Sequence, residues 1–400
     1  MVTRPLRRLL QVISHSGGRG TGLALTVEKD PAPVDAHAYT MIVCKTAPAP
    51  TRSDSHHVVT VQAPGRLHLG FLDPSGSLGR SFGSVGLVLD GFETVVSLTG
   101  ARNDVVTADT ASAQLETARA EKYLAVLRRH SGLAKALHLR LQKVLPAHAG
   151  LGSGTQLALA VGHAFARWHG LSLSSATLAQ WLGRGLRSGI GIAGFDQGGL
   201  LVEGGPSADG LPAPLLARIN LPEAWRVIVV QEDNPVRPGL SGGSEDQAIA
   251  NLPLLPRAVA ADICHQVLMR VLPGAACADF APFAAGITHM QQLLGAHFAP
   301  AQGDAAYTSA AVGQLVRWLG DAARESRGDL SGLAGDVPEH GAAIGQSSWG
   351  PTGFAIVPSQ ARAEALVQAA KASGQIGSAL SLHIVPARNR GASLSAPALA

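Results

Sequence analysis

The sequence predicts an α+β protein folded in two lobes. Strand and helix patterns are interleaved without a regular βα alternation, which argues against a doubly wound sheet. A clear buried strand, Arg226–Gln231, is followed by a change of character into long helical patterns. The chain has 400 residues, 46% of them hydrophobic, more than one compact core usually needs.

Residues 1–57 stand apart. Met1–Ser14 is basic and weakly amphipathic and lacks the apolar run of a secretory signal. Glycines at 17, 18, 20 and 22 and a Pro/Ala/Asp stretch follow, a linker-like composition. The expected organisation is a disordered or misassigned extension over 1–57, a first domain over 58–235, a second over 236–388 and a flexible tail over 389–400.

His57–Ala63 alternates and is β-branched, a strand, and Arg66–Leu72 is a second extended piece after Pro64-Gly65. A glycine-rich turn spans Pro74–Gly86. Asp90-Gly91 signals a hairpin within Leu87–Leu98. A helix is expected over about Ala111–His130 and a strand over about Ala136–Leu145. Leu157, Ala160, Val161, Ala164, Phe165 and Trp168 recur at helical spacing until Gly170 stops them. A helix over about Ser174–Leu186 precedes a glycine-dense loop, Gly189–Gly199. After the seam near Gln231–Gly243, helical patterns cover about Ser244–Leu272, Ala281–His297 and Thr308–Ser326. Phe354–Val357 and Ala379–Pro386 are strands flanking a helix at Gln360–Ser373.

Composition excludes several classes. Aromatics are 4% and charged residues 15%, with Gly 47 and Pro 24, so the chain is no disulfide mini-protein, collagen, coiled coil or helical membrane bundle. The net charge is +4, and the basic residues are mostly arginine and not clustered, which speaks against nucleic acid and fits small anionic substrates or simply a solvated basic surface. Cys44, Cys264 and Cys277 are sparse and unpaired in spacing, as free thiols in a reducing cytoplasm are.

Five segments carry chemistry. Pro146–Thr155 places Gly150, Gly152 and Gly154 before a helix, where unpaired N–H groups and the helix dipole favour an anion. An ordinary capped glycine turn fits the same spacing. Arg66 and His68 alternate along a strand and so project to one face, suited to phosphate or carboxylate, or to a solvated surface. Asp196, alone among glycines, suits a base, a cation stabiliser, a metal ligand or a turn cap. Arg237 and Glu245 lie at the seam, where Ser244 and Gln247 also fit a capping box. Gly345–Gly353 is a second hydroxyl-rich loop; its Trp349 suits a flat ring or a plug between lobes. No His/Cys/Asp grouping has metal-ligand spacing and no GxSxG occurs.

Ala63–Gly70, Pro146–Thr155 and the Asp196 loop together resemble three landmarks of the GHMP small-molecule kinase superfamily, the middle one being similar to its Pro-x-x-x-Gly-Leu-Gly-Ser phosphate loop. Gly65–Gly70, Pro238–Gly242 and Gln346–Pro351 resemble, more closely, the beta-ribofuranosylaminobenzene 5'-phosphate synthase family within it, over about residues 58–388. The resemblance implies an N-terminal lobe like the second domain of ribosomal protein S5 and a ferredoxin-like C-terminal lobe. It implies a cytoplasmic homodimer of tetrahydromethanopterin biosynthesis that joins phosphoribosyl diphosphate to 4-aminobenzoate, losing carbon dioxide and diphosphate, with Mg²⁺. It gives Gly150, Leu151, Gly152, Ser153, Gly154 and Thr155 to the diphosphate. On the resemblance, Asp196 is the expected catalytic residue, stabilising the cationic centre or binding Mg²⁺, and Arg66 and His68 are expected to bind the 5'-phosphate or the benzoate carboxylate; Arg237 and Glu245, from the seam segment itself, are the other expected substrate contacts. Ser347, Ser348 and Trp349 would close over the aryl ring. The alternative is an ATP-dependent kinase with Asp196 as base. Gly154 in place of the second Ser of the kinase loop, and Trp349 where kinases carry small residues, weaken that alternative.

Overall fold

A computed structural model describes residues 57–206, 213–233, 243–325 and 341–395. The extension before His57, the side chain of Ser244, and the expected contacts Arg237 and Pro238–Gly242 lie outside the described residues.

In chain order the first lobe contains β1 (Val59–Asp73), β2 (Phe82–Gly100), β3 (Val105–Ala108), α1 (Ala111–Gln114), α2 (Thr117–Ser131), β4 (Leu137–Lys143), α3 (Ser153–Trp168), α4 (Ser175–Trp181), α5 (Ile190–Gln197), β5 (Leu200–Glu203) and β6 (Leu215–Ile219). The second contains β7 (Arg226–Glu232), α6 (Gly243–Asn251), α7 (Arg257–Gln266), α8 (Leu272–Ala276), α9 (Phe280–Phe298), α10 (Ala310–Glu325), β8 (Ala343–Gln346), β9 (Gly353–Val357), α11 (Gln360–Ala372) and β10 (Leu380–Val385). A last strand, β11 (Ser393–Ser395), returns to the first lobe.

The first sheet has seven strands: β11-β1-β2-β4-β3 in order, with β5 on β2 and β6 on β5. The second has four antiparallel strands in the order β10-β7-β9-β8. Counted along the second lobe this is fourth-first-third-second, the ferredoxin-like arrangement. Alternation along β7 explains why it is apolar throughout: Val227 and Val229 enter the core between the lobes, while Ile228 and Val230 face α10 and α11. The inter-lobe core joins Leu67, Leu69 and Leu87 of the first sheet to Phe354 and Ile356 of the second through Phe283, Ile287 and Met290 of α9. A separate core holds α2 and α3 against β1, β2 and β4.

Five expectations are corrected. The first boundary falls before β7, because that strand pairs with β9 and β10 rather than with the first sheet. Residues 389–395 are no free tail: β11 pairs with β1, and the Asn389 side chain bonds both the N–H and the carbonyl of Leu221. Asp90-Gly91 is not a hairpin, since β2 runs through it. Its halves serve different neighbours, Ser84–Leu87 pairing with β5 and Val95–Gly100 with β4, and Gly91 at φ 79° supplies the bend between them. The two pieces flanking Pro64-Gly65 are one strand with irregular register at Pro64/Arg66 and His68/Gly70. Residues 190–197, read as loop, are helix α5.

Candidate active site

Local structure explains how the Pro146–Thr155 loop becomes a cradle. Gly150 and Gly152 hold φ of 81° and 78°, which side chains disfavour. Gly152 is the N-cap of α3 and supplies no side-chain cap, and while the Thr155 N–H turns back to the Gly152 carbonyl at 3.2 Å, the Ser153 and Gly154 N–H groups at the helix start are left for an anion. A Cβ on Gly150 would stand 2.5 Å from the Ser347 carbonyl, and one on Gly152 would stand 1.5 Å from Arg66 Nη1 and push the guanidinium off the loop.

This loop floors a cleft of about 470 Å³. Arg66 and His68 from β1, Arg119 from α2, Arg184 and Arg187 from the turn after α4, Glu245 from α6, and Ser348 and Trp349 wall it. The expectation that Arg66 and His68 share a face is met, since both line this cavity. Four arginines therefore face one glutamate among the described lining residues. Arg187 pairs with Glu245 Oε2 at 2.8 Å, and the Trp349 indole N–H donates to Glu245 Oε1 at 3.0 Å. Arg184 donates to the Tyr123 hydroxyl, and Arg119 pairs with Glu116 at 3.0 Å. Arg66 differs. It is half-buried, its Nε is shut off from solvent, and its guanidinium makes no hydrogen bond among the described residues. Burial pulls its pKa down to about 10, partly offset by the Glu245 charge.

Of the expected phosphate residues, Gly150, Gly152, Ser153, Gly154 and Thr155 line the cleft. Leu151 does not: its side chain is buried in the inter-lobe core, and its carbonyl instead accepts from the Arg66 backbone N–H at 3.1 Å. Ser347 does not reach the cleft either. It is fully buried, donates to the Gly150 carbonyl at 2.6 Å and accepts from the His68 N–H at 2.9 Å. Its role is to tie loop, strand and second lobe together.

Asp196 is the main correction. It is exposed on the last turn of α5 and lies outside the cleft. Its carboxylate accepts from Ser175 Oγ, which also meets His163 Nε2 at 2.7 Å. The physical reason is the helix. α5 meets the cradle at its start, where a Cβ on Gly191 would stand 2.8 Å from Thr155 Cγ2. Asp196 is about 7.5 Å further along the axis and turned to another face. Asp196→Asn is therefore expected to leave kcat/KM within about twofold of wild type, while lowering stability by about 1 kcal/mol through the Ser175 hydrogen bond. Steady-state rates and a thermal melt check both halves.

Sequence reasoning missed Arg119, Arg184 and Arg187. The last two were signalled: Gly183 and Gly185, at φ 64° and 81°, end α4 early and turn the Arg184–Ser188 segment into the cleft.

No group of three His, Cys, Asp or Glu is arranged to hold a metal among the described residues. The cleft's described carboxylate already has both oxygens on Arg187 and Trp349. Magnesium at a phosphate site takes one or two carboxylates with waters and the substrate's own phosphates, and Glu245 is the described carboxylate placed to serve one there. No helix among the described residues is long and apolar enough to cross a membrane.

A family model for the GHMP kinases N terminal domain matches residues 118–199. A curated relative, the beta-ribofuranosylphenol 5'-phosphate synthase of Archaeoglobus fulgidus, is 30% identical over 316 residues, 76% of this chain and 89% of that protein. The chain belongs to this synthase family. A second beta-ribofuranosylphenol 5'-phosphate synthase, from Methanothermobacter thermautotrophicus, is 33% identical over 248 residues, 58% of this chain and 74% of that protein. Two solved structures share the synthase's fold. Mevalonate diphosphate decarboxylase from Enterococcus faecalis has a TM-score of 0.57 at 17% identity, covering 85% of this chain and 99% of that one. Homoserine kinase from Cytophaga hutchinsonii has a TM-score of 0.54 at 16% identity, covering 88% and 100%. The synthase family makes the chain an enzyme of pentosyl transfer, built on a two-lobed GHMP fold.

Proposed function

We propose that this protein condenses phosphoribosyl diphosphate with a benzoate bearing a para hydroxyl or amino group, releasing carbon dioxide and diphosphate. The observation that carries the reading is Arg66: a half-buried cation without a side-chain hydrogen bond among the described residues, set over an uncapped helix N-terminus. Such a group is stabilised by an anion, and a diphosphate presents two charged phosphoryl groups to it. Arg119, Arg184 and Arg187 line the same cleft and extend its positive surface beyond Arg66. The relatives' names carry a phenol product, whereas the sequence resemblance implied 4-aminobenzoate. Both acceptors place a donor group para to the carboxylate, and one chemistry serves both.

The ribose C1–O bond breaks and its electron pair leaves on diphosphate, where Arg66 and the Ser153 and Gly154 N–H groups stabilise the growing negative charge. A ring π pair forms the new carbon–carbon bond at the carboxylate-bearing carbon. The carboxylate C–C pair then returns to the ring as carbon dioxide departs. No hydroxyl needs deprotonation for attack, so the chemistry asks for no base at Asp196.

The test uses carboxyl-labelled 4-hydroxybenzoate or 4-aminobenzoate with phosphoribosyl diphosphate, with and without Mg²⁺ and without ATP. Release of labelled carbon dioxide that requires both substrates is expected. No release from folded protein, with ATP consumed on adding a small alcohol, overturns the reading in favour of a kinase.

A further inference from the structure

The wall between the basic cleft and a second, narrower hollow is aromatic. His68, Phe71, Ser348 and Trp349 line both spaces. Phe298 closes the far side. The rings form one chain, with centroids 4.6 Å apart for His68–Phe71, 6.5 Å for Phe71–Phe298 and 4.7 Å for Phe298–Trp349. In a chain only 4% aromatic this is a notable concentration. The glutamines around the hollow are internally satisfied. Gln291 donates to the Leu69 carbonyl and accepts from the Gln346 N–H, and Gln346 donates to Gln302 Oε1 at 2.8 Å.

His68 is the exception. Its side chain is all but buried, at 5% exposure, and neither Nδ1 nor Nε2 has a hydrogen-bond partner among the described residues. Burial, then the Arg66 and Arg187 charges, hold its pKa down to about 3. The imidazole is thus neutral and keeps one nitrogen as an acceptor. A buried polar group without a partner is unfavourable unless something arrives to satisfy it.

We propose that His68 recognises the para substituent of the aromatic acceptor: the ring lies against Phe71 and Trp349, and its para hydroxyl or amino group donates a hydrogen bond to the His68 imidazole. This rests on the synthase reading above. Space supports the placement. The hollow, about 30 Å³, takes a hydroxyl-sized group and not a ring, whereas the adjoining cleft of about 470 Å³ takes the ring and its carboxylate. A para arrangement then directs the carboxylate-bearing carbon away from His68, toward the loop and arginines where the ribose is held. The chemistry benefits too. While the new bond forms, positive charge spreads onto the para heteroatom and its O–H or N–H becomes more acidic. The hydrogen bond to a neutral imidazole therefore strengthens in the transition state.

The test compares 4-hydroxybenzoate with 4-methoxybenzoate, which keeps the ring donor but has no proton to offer, by carbon dioxide release from the full chain. Wild type is expected to favour the hydroxy acceptor. His68→Leu is expected to lose about 10- to 100-fold in kcat/KM with that acceptor. Its preference over the methoxy compound should collapse, and the KM for phosphoribosyl diphosphate should barely move. His68→Gln, which keeps an acceptor atom, restores the preference. A folded His68→Leu with the wild-type preference overturns the proposal. Should the leucine variant not fold, wild-type protein carrying ¹⁵N-histidine decides: 4-hydroxybenzoate shifts the His68 ring nitrogens, and unmoved nitrogens overturn the proposal. Wild-type protein that releases no carbon dioxide from any acceptor overturns the synthase reading and this assignment with it, a result distinct from active protein with an indifferent His68.

Discussion

Arg66→Ala is expected to raise the KM for phosphoribosyl diphosphate by about 100-fold or more while leaving the fold at least as stable. Each charge-assisted hydrogen bond from the guanidinium to a phosphoryl oxygen contributes about 1.5–3 kcal/mol, and a two-pronged contact doubles it. The sign of the stability change separates a binding role from a structural one. The guanidinium is half-buried, its Nε is shut off from water, and it makes no hydrogen bond to the described protein. Removing it deletes a desolvated charge and breaks no side-chain bond, so the melting temperature should hold or rise. Arg66→Lys keeps the charge and loses the fork, so it should fall between the two in KM. Initial rates with varied diphosphate substrate, beside a thermal melt, check both. A large fall in melting temperature with an unchanged KM would assign Arg66 to the scaffold.

The second large effect belongs to Gly150. A methyl group there stands 2.5 Å from the Ser347 carbonyl, a backbone atom that cannot swing aside, and the residue must also hold φ 81°. The left-handed backbone alone costs about 1–2 kcal/mol. Displacing Ser347 also removes its hydroxyl from the Gly150 carbonyl and from the His68 N–H. Gly150→Ala is expected to lower stability by about 2–4 kcal/mol and to lower kcat/KM about 100-fold or more by moving cradle and strand apart. Gly154→Ala is the matched control. Its nearest foreign atom is Arg184 Nη1 at 3.5 Å and it lies inside the first turn of α3, so its melting temperature should stay at the wild-type value. Equal melts for the two variants would count against the argument.

Much of the cradle was legible because its signals are local. Strand alternation put Arg66 and His68 on one face, and glycine before an apolar helical stripe marked the loop ahead of α3. What escaped depends on packing across the chain. Ile190-Gly-Ile-Ala-Gly194 has two glycines in five residues, a poor helix by propensity, yet Ile190, Ile192 and Phe195 are buried and make α5 a helix. That one change of state carried Asp196 out of the site. Ser347 reads as a site hydroxyl because it shares a hydroxyl-rich loop with Ser348 and Trp349, and only those two reach the cavity. Adjacent residues in a turn point in different directions, and no spacing rule says which one faces inward. The lobe boundary was placed one strand late because a buried strand looks the same whichever sheet it joins. Arg119 contributes from α2 through tertiary proximity alone.

The small strand β11 has a consequence for the border of the first sheet. It covers the outer edge of β1, and its Ser393 hydroxyl donates to Gln62 Oε1, a partner 331 positions earlier. The border of the first sheet is thus sealed by a segment far along the chain from the strand it covers. Until β11 arrives, the backbone of Thr60–Gln62 offers unpaired groups to any extended peptide nearby. Any form of the chain in which β11 has not yet paired carries this open edge on its first lobe, and the pairing of β11 closes it.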